Sequence, residues 1–423
     1  MKKYIDQFVI GFALFSMFFG AGNIIFPPYL GLGAGPEWLL GFICYYIADI
    51  GLAILAIFAL LKNGGHINSI TDRIGRIPGE VMVALIILCI GPFIALPRTG
   101  ATTYEMFVVP LLGNVNPLIP LLLFFTLALI LTLNESSVID IIGKFLTPLL
   151  FIGLLILIIM GVMNPIGEIS DTAMIEHVAL EGINAGYQTM DVLAAMIFGI
   201  IIVKSVEDKG YTDIKAKYIT AKNASIVAAA GLLIVYFGLT YLGATSSKLY
   251  DLNVGRSELI IDITYRLLGN GGTIVLGIVV TLACLTTAIA LITSTADYFH
   301  DISNGKLSYK LVAAVTALVS ALIAMIGTDQ IVAVAAPVLS LLYPGALTLL
   351  TLSFLKNKIS NWTLRFTVVG ALIGSLMTVL YGLGVPLNFV PSLPLSSLSL
   401  EWTLSAIVFA IIGAVTHRIK TLK

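Results

Sequence analysis

Long apolar stretches alternate with short polar ones along the whole chain, and their lengths carry the first message. A helix needs about 20 apolar residues to cross the hydrocarbon of a bilayer. Twelve runs of that order occur, at 8–32, 36–61, 79–112, 116–133, 144–163, 187–206, 218–245, 271–298, 310–326, 330–355, 363–385 and 402–417. The pattern predicts an all-α integral membrane protein with twelve transmembrane helices.

Charge tests the count independently. An even number of spans puts both termini on one side, and Lys and Arg collect on the cytoplasmic side. On this reading nineteen of the 23 basic residues fall in cytoplasmic segments: Lys2, Lys3, Lys62, Arg73, Arg76, Lys144, Lys204, Lys209, Lys215, Lys217, Lys222, Lys306, Lys310, Lys356, Lys358, Arg365, Arg418, Lys420 and Lys423. Lys248, Arg256 and Arg266 fall outside, and Arg98 sits within a span. The acidic connection carrying Glu168, Asp171, Glu176 and Glu181 fits the outer face. The expectation is a membrane protein with both termini cytoplasmic. MKKYIDQFVIGFALFSMFFG has the lysines of a signal peptide, but the glycine and proline cluster follows without a small-residue cleavage site, so it reads as a retained helix.

Composition agrees: 58% of residues are hydrophobic and 11% charged, against about 25% charged in soluble domains. Cys44, Cys89 and Cys284 lie in apolar segments and suggest packing, with no disulfide framework or metal cluster. His66, His177, His300 and His417 fall in or beside loops. The connections 164–186 and 246–270 have room for a short surface helix each, and no soluble domain interrupts the chain.

Two spans depart from the uniform pattern. In FFGAGNIIFPP, residues 18–28, Gly20, Ala21, Gly22 and Asn23 come roughly 20 to 24 Å along the helix from Gln7. Pro27 and Pro28 follow, and each removes an N–H and disfavours helix before it. Either the helix is broken near the bilayer centre, or it is kinked with a small-residue packing face. The sixth span carries Asp191, then Ala194, Ala195, Phe198 and Gly199, a weaker signal at the corresponding place of a second half running the opposite way. Non-helical chain in hydrocarbon is tolerated only where protein or a water-lined cavity surrounds it. Two such helices opening two halves is the arrangement of secondary transporters with a midplane site. The expected organisation is one membrane domain: residues 8–163 as a first repeat, 187–355 as an inverted second, and 363–417 as two further helices.

The runs GFALFSMFFGAGNIIFPPYLG, GPFIALPRTGATTYE at 91–105 and YQTMDVLAAMIFGIIIV at 187–203 closely resemble the bacterial branched-chain amino acid carriers, which take up leucine, isoleucine and valine with sodium. The likeness extends over essentially the whole chain. More distantly, GNIIFP and ACLTTAIA resemble the sodium-coupled LeuT-type amino acid transporters. That resemblance implies a five-plus-five inverted repeat, broken helices 1 and 6, and two extra C-terminal helices.

The wider pattern implies a substrate site at Phe18, Gly20, Ala21, Gly22, Asn23, Val192, Ala195, Phe198, Thr287 and Leu291. Backbone N–H groups of Ala21 and Gly22 would face the substrate carboxylate, and the Phe18 carbonyl its amine. Asn23 either serves as a ligand or braces the broken backbone. A sodium ion would be held by carbonyls of Ser16, Phe19 and Ala283 and hydroxyls of Thr286 and Thr287, neutral oxygens suited to a hard monovalent cation. Leu193 stands where the wider family has a threonine beside a second sodium, so one sodium is expected.

Arg98 within a span requires a polar partner. Glu105 and Asp191 are the candidates, as an extracellular gate or as a structural pair. No H-E-x-x-H, Cys–His grouping, Walker sequence or channel filter is present, which argues against an intramembrane enzyme, an ATP-driven pump and a channel. The expected partners are the amino acid, sodium and the bilayer, without cofactor or nucleic acid. The expected activity is sodium-coupled uptake by alternating access, with proton coupling or broader amino acid specificity as the alternative.

Overall fold

The computed structural model describes residues 2–133 and 147–422. Lys144, Lys423 and the start of the predicted span 144–163 lie outside the described residues. Among the described residues every regular element is a helix and there are no strands. Seven helical stretches there are long and apolar enough to cross a bilayer: Ala21–Lys62, Arg76–Leu112, Lys215–Ala244, Arg256–Ile302, Thr328–Ser353, Asn361–Gly382 and Trp402–Lys420. Tyr4–Phe18, Leu118–Leu133, Thr147–Met163 and Tyr309–Ala324 are apolar but shorter.

Polar side chains start several helices by accepting from an otherwise orphaned N–H. Asp213 takes the N–H of Ala216, Ser308 that of Leu311, and Ser360 that of Thr363. Exposed apolar side chains mark faces that suit lipid. On Leu118–Leu133, Ile119, Leu123, Leu127 and Ile130 are exposed while Leu121, Phe124, Phe125 and Ala128 are buried.

The chain forms two compact units. One comprises Met1–Ile50, Ile87–Asp191 and Ile202–Val332, and the other Gly51–Ile86, Val192–Ile201 and Ala333–Lys423. In the second, buried Arg73 donates to Asn361 Oδ1 (3.0 Å) and to the carbonyls of Leu352 (3.3 Å) and Ile359 (2.9 Å). Its paired helices Asn361–Gly382 and Trp402–Leu422 are tied by Thr378 donating to Glu401 at 2.6 Å.

In the first unit, glycines bring backbones together. A Cβ on Gly243 would stand 1.9 Å from the Pro28 carbonyl oxygen, and one on Gly31 would stand 1.9 Å from that of Thr240. The helices Ala21–Ala34 and Ile214–Ala244 therefore cross with no side chain between them, the close approach small residues allow in membrane helices. Gly182 and Gly186 do the same for Val178–Thr189 against the segment Trp38–Gly51. A Cβ on Gly186 would meet Tyr45 O at 2.9 Å and Asp49 N at 3.0 Å.

The first span is broken, but not by its prolines. Lys2–Phe18 ends at Phe19–Gly20, and Ala21–Ala34 runs unbroken through Pro27 and Pro28. Proline costs a helix the bond to the carbonyl four residues back. Here those carbonyls belong to Asn23 and Ile24, in the first turns of the second half-helix, so the loss falls after the break. The break itself is an extended Gly20 (φ −108, ψ −164), whose N–H is accepted by Phe18 O at 2.9 Å and by Asn23 Oδ1 at 3.1 Å.

The sixth span also bends, by 49° between Val178–Gly199 and Ile202–Asp208, directly after the predicted Phe198 and Gly199. Asp191–Asp208 is helical through Ala194, Ala195, Phe198 and Gly199. A further interruption, not expected, is Met190, left-handed at φ 68, between Val178–Thr189 and Asp191–Asp208. A non-glycine residue is uncommon there, and its neighbours supply the support described below. The connection 246–270 holds the start of Arg256–Ile302, which turns at Gly269 (φ 64).

Candidate functional site

The breaks at Gly20 and Met190 leave helix termini inside the first unit, and polar residues of the spans gather on them. Asn23 is the third residue of Ala21–Ala34. Its Oδ1 takes the Gly20 N–H, the return bond of a capping box. Its Nδ2 donates to Asp191 Oδ2 at 2.8 Å and to the Tyr236 hydroxyl. Asp191 is the first residue of its helix, where negative charge is favoured.

Arg98 closes the other side of the Met190 turn. It donates to the carbonyls of Gln188 (2.6 Å) and Thr189 (3.1 Å), the last of their helix, and its guanidinium lies 5.4 Å from the centre of the Phe26 ring. A cation on terminal carbonyls is favourable both as cap and as dipole partner. Arg98 also covers Gly22: a Cβ there would stand 2.8 Å from Nη2.

Glu105, one of the two expected partners, is engaged elsewhere. It accepts from Ser257 Oγ at 2.6 Å and from Thr328 N at 2.8 Å. Close by in sequence, Arg256 bonds Asp329 and stacks on Tyr29. Glu105 fastens the start of Thr328–Ser353 to Arg256–Ile302.

Asp49 was not singled out from the sequence, although a lone carboxylate within an apolar run marks a functional position by default. It lies on a π-helical turn, Ile47–Gly51, and is fully buried. Its Oδ1 accepts from Thr189 Oγ1 at 2.8 Å. The carboxyl of Asp191 and the hydroxyls of Tyr45 and Tyr236 surround it. The Tyr236 ring packs on Tyr45 and Phe19, with centroids 5.3 and 6.2 Å away.

The expected sodium ligands partly converge. Ser16 Oγ donates to Thr286 Oγ1 at 3.1 Å, and Thr286 Oγ1 lies 3.4 Å from Ser16 O and 2.8 Å from Ala283 O. Thr287 Oγ1 is buried without a hydrogen-bond partner, and a Cβ on Gly20 would stand 3.2 Å from it. An orphaned buried hydroxyl beside unwound backbone fits a cation ligand. Among the described residues no group of three or more His, Cys, Asp or Glu is placed to hold a metal.

Phe18, Phe19, Ala21 and Leu291 are buried in the same unit. Val192, Leu193, Ala195 and Phe198 are buried in the other.

Comparison with known proteins decides the family. Residues 3–420 match the family described as branched-chain amino acid transport protein. The chain belongs to that family. It is 37% identical to the branched-chain amino acid permease BraB of Bacillus subtilis (strain 168), over 97% of this chain and 95% of the relative. Solved structures of similar fold include MhsT in complex with L-phenylalanine (TM-score 0.61, 17% identity, 96% of this chain and 98% of that one). A Na+-coupled sialic acid symporter in a substrate-bound outward-open state is also similar (TM-score 0.62, 15% identity, 96% and 89%). These likenesses carry the LeuT-type fold. This family member is a multi-pass membrane transporter, not an enzyme.

Proposed function

We propose that the protein imports leucine, isoleucine and valine across the bacterial inner membrane by alternating access, coupled to sodium. The family match supports the substrate class, and the Phe19–Gly20 break beside Thr286 and Thr287 supports the ion. The proposal includes twelve spans in a five-plus-five inverted repeat with two extra C-terminal helices, and cytoplasmic termini.

In this reading the N–H groups of Ala21 and Gly22 receive the substrate carboxylate. They lie in the first turn of a helix, where backbone donors lack intrahelical acceptors and the dipole favours an anion. Gly20 N–H is already engaged by Asn23 and Phe18, so it contributes shape rather than a donor. The Phe18 carbonyl, with a second lone pair, faces the amine. Phe18 and Leu291 supply apolar contacts, and Val192, Ala195, Phe198, Gly20, Asn23 and Thr287 stand as further proposed contacts on the resemblance. One methylene is worth about 1 to 3 kcal/mol, so discrimination among the three substrates is weak.

Sodium is bound as cargo by carbonyls of Ser16, Phe19 and Ala283 and hydroxyls of Thr286 and Thr287. Arg98 and Asp191 act as the gate by holding or releasing the helix end at Thr189, and Glu105 anchors the outer segment beside them. The test is uptake of labelled leucine into proteoliposomes under an imposed sodium gradient. Accumulation should collapse with the sodium gradient, and accumulation that persists on a proton gradient alone would overturn sodium as the driver.

A further inference from the structure

Asp49 and Asp191 meet on one buried threonine: the Thr189 hydroxyl donates to Asp49 Oδ1 at 2.8 Å and accepts the Asp191 N–H at 3.4 Å, and each aspartate arrives on a different element. Asp49 comes from the π turn and Asp191 from the helix start after Met190. They are 0% and 5% exposed. Three of their oxygens have settled or opposing roles: Asp49 Oδ1 accepts from Thr189, Asp191 Oδ2 accepts from Asn23, and Asp49 Oδ2 is buried with no donor. The Tyr45 hydroxyl, fully buried, is also without a partner and faces the Asp49 carboxyl.

The charge balance is incomplete. The groups facing the pair are Tyr45 from Trp38–Tyr46, Tyr236 from Ile214–Ala244, Asn23 from Ala21–Ala34 and Arg98 from Ala95–Thr103. Arg98 is the single cation among them, against two carboxylates. Two like charges gathered on one threonine in a dry site do not both persist. Arg98 offsets one of the two charges, and none of the other groups named here is a cation that would offset the second.

We propose that Asp49 and Asp191 form a proton-binding site that holds one shared proton while the helices Ala21–Ala34 and Val178–Thr189 are closed on it. The proton makes one carboxyl a donor to the other, gives Asp49 Oδ2 its missing partner and brings the cluster to zero net charge. When the two helix ends part and water enters, the pair ionises and the proton leaves to the open side. Closure then requires reprotonation. The site thus couples closure to pH separately from the sodium ligands at Ser16 and Thr286, and it rests on the transporter reading only for its effect on uptake.

The closed form gains from a bound proton, so its stabilisation is present at low pH and is lost as pH rises through the pair's titration. Two measurements test this on the purified full-length protein. Infrared spectroscopy at neutral pH should show a protonated-carboxyl stretch that disappears in Asp49→Asn and in Asp191→Asn. Leucine binding at saturating sodium should weaken with rising pH, by up to tenfold per pH unit for one linked proton. In Asp49→Asn, whose amide supplies a permanent donor to Asp191 while its oxygen still accepts from Thr189, the profile should be flat.

Absence of the band in the wild-type protein overturns the site, whatever becomes of the variants. Loss of the band on adding sodium shows that the pair takes the cation instead and also overturns it. An unchanged pH profile in Asp49→Asn overturns the linkage. A protein that shows the band but binds no leucine refutes the transporter reading and leaves the proton site standing.

Discussion

Asn23 and Asp191 meet at 2.8 Å, and that one hydrogen bond ties the helix that begins after the Phe19–Gly20 break to the helix that begins after Met190. The same amide caps Gly20 and reaches Tyr236. Replacing it with alanine leaves the Gly20 N–H only its bond to Phe18 O and removes a donor from a buried carboxylate, the latter costing about 1–3 kcal/mol. Asn23→Ala should therefore lower the melting temperature in detergent by several degrees and abolish leucine uptake. Asn23→Asp should fare no better, since it adds a third carboxylate where two already crowd.

Thr287 separates ion binding from folding. Its hydroxyl makes no hydrogen bond in the protein, so Thr287→Ala should leave the melting temperature unchanged. It should raise the sodium concentration for half-maximal leucine uptake by about tenfold, the equivalent of ~1.4 kcal/mol. Thr286→Ala removes bonds to Ser16 and Ala283 as well and should affect both readouts. Unaltered sodium activation in the double variant would remove the proposed ion site.

Arg98 is held by two carbonyls at a helix end. Bonds from a charged donor contribute about 1.5–3 kcal/mol each, so Arg98→Ala should destabilise the protein measurably in thermal unfolding. Arg98→Lys retains the charge but not the planar two-pronged fit, and it should recover folding more than uptake. Gly22→Ala pushes a methyl to within 2.8 Å of Nη2. It should slow uptake while leaving the fold, because a guanidinium on a flexible stem can yield.

The crossing of Ala21–Ala34 on Ile214–Ala244 has no such give. Gly243→Ala drives a methyl into the Pro28 carbonyl, and overpacking of this kind costs about 1–3 kcal/mol or more. Purified yield and melting temperature should both fall sharply, in contrast to Gly22→Ala.

Much of this was legible in the residue order. Run length gave the helices, and the Gly20–Asn23 cluster marked a real break, because a long apolar run and its interruption are local properties. The prolines misled because their cost falls on carbonyls upstream, not on the peptide bond where they stand. Met190 was invisible: nothing in an isolated methionine announces a left-handed turn, which here is supported by Arg98 and Asp49 arriving from elsewhere in the chain. Asp191, one of the two carboxylates expected to partner Arg98, faces it electrostatically, and the hydrogen bonds Arg98 makes at the turn go to backbone carbonyls, which every residue carries and no sequence pattern marks. Asp49 was overlooked although its setting in YYIADIGLAIL is as anomalous as that of Arg98.

The π turn at Ile47–Gly51 contains one residue more than an α-helical turn. Removing that residue would restore a regular α-helical turn, shifting the side chains within the turn while the helix beyond it keeps its phase. A single-codon deletion there would swing Asp49 away from Thr189 without changing the identity of any polar side chain. In this protein, the spacing of the chain is itself a functional element, and relatives of different length at this turn should differ in behaviour even where their aspartates match.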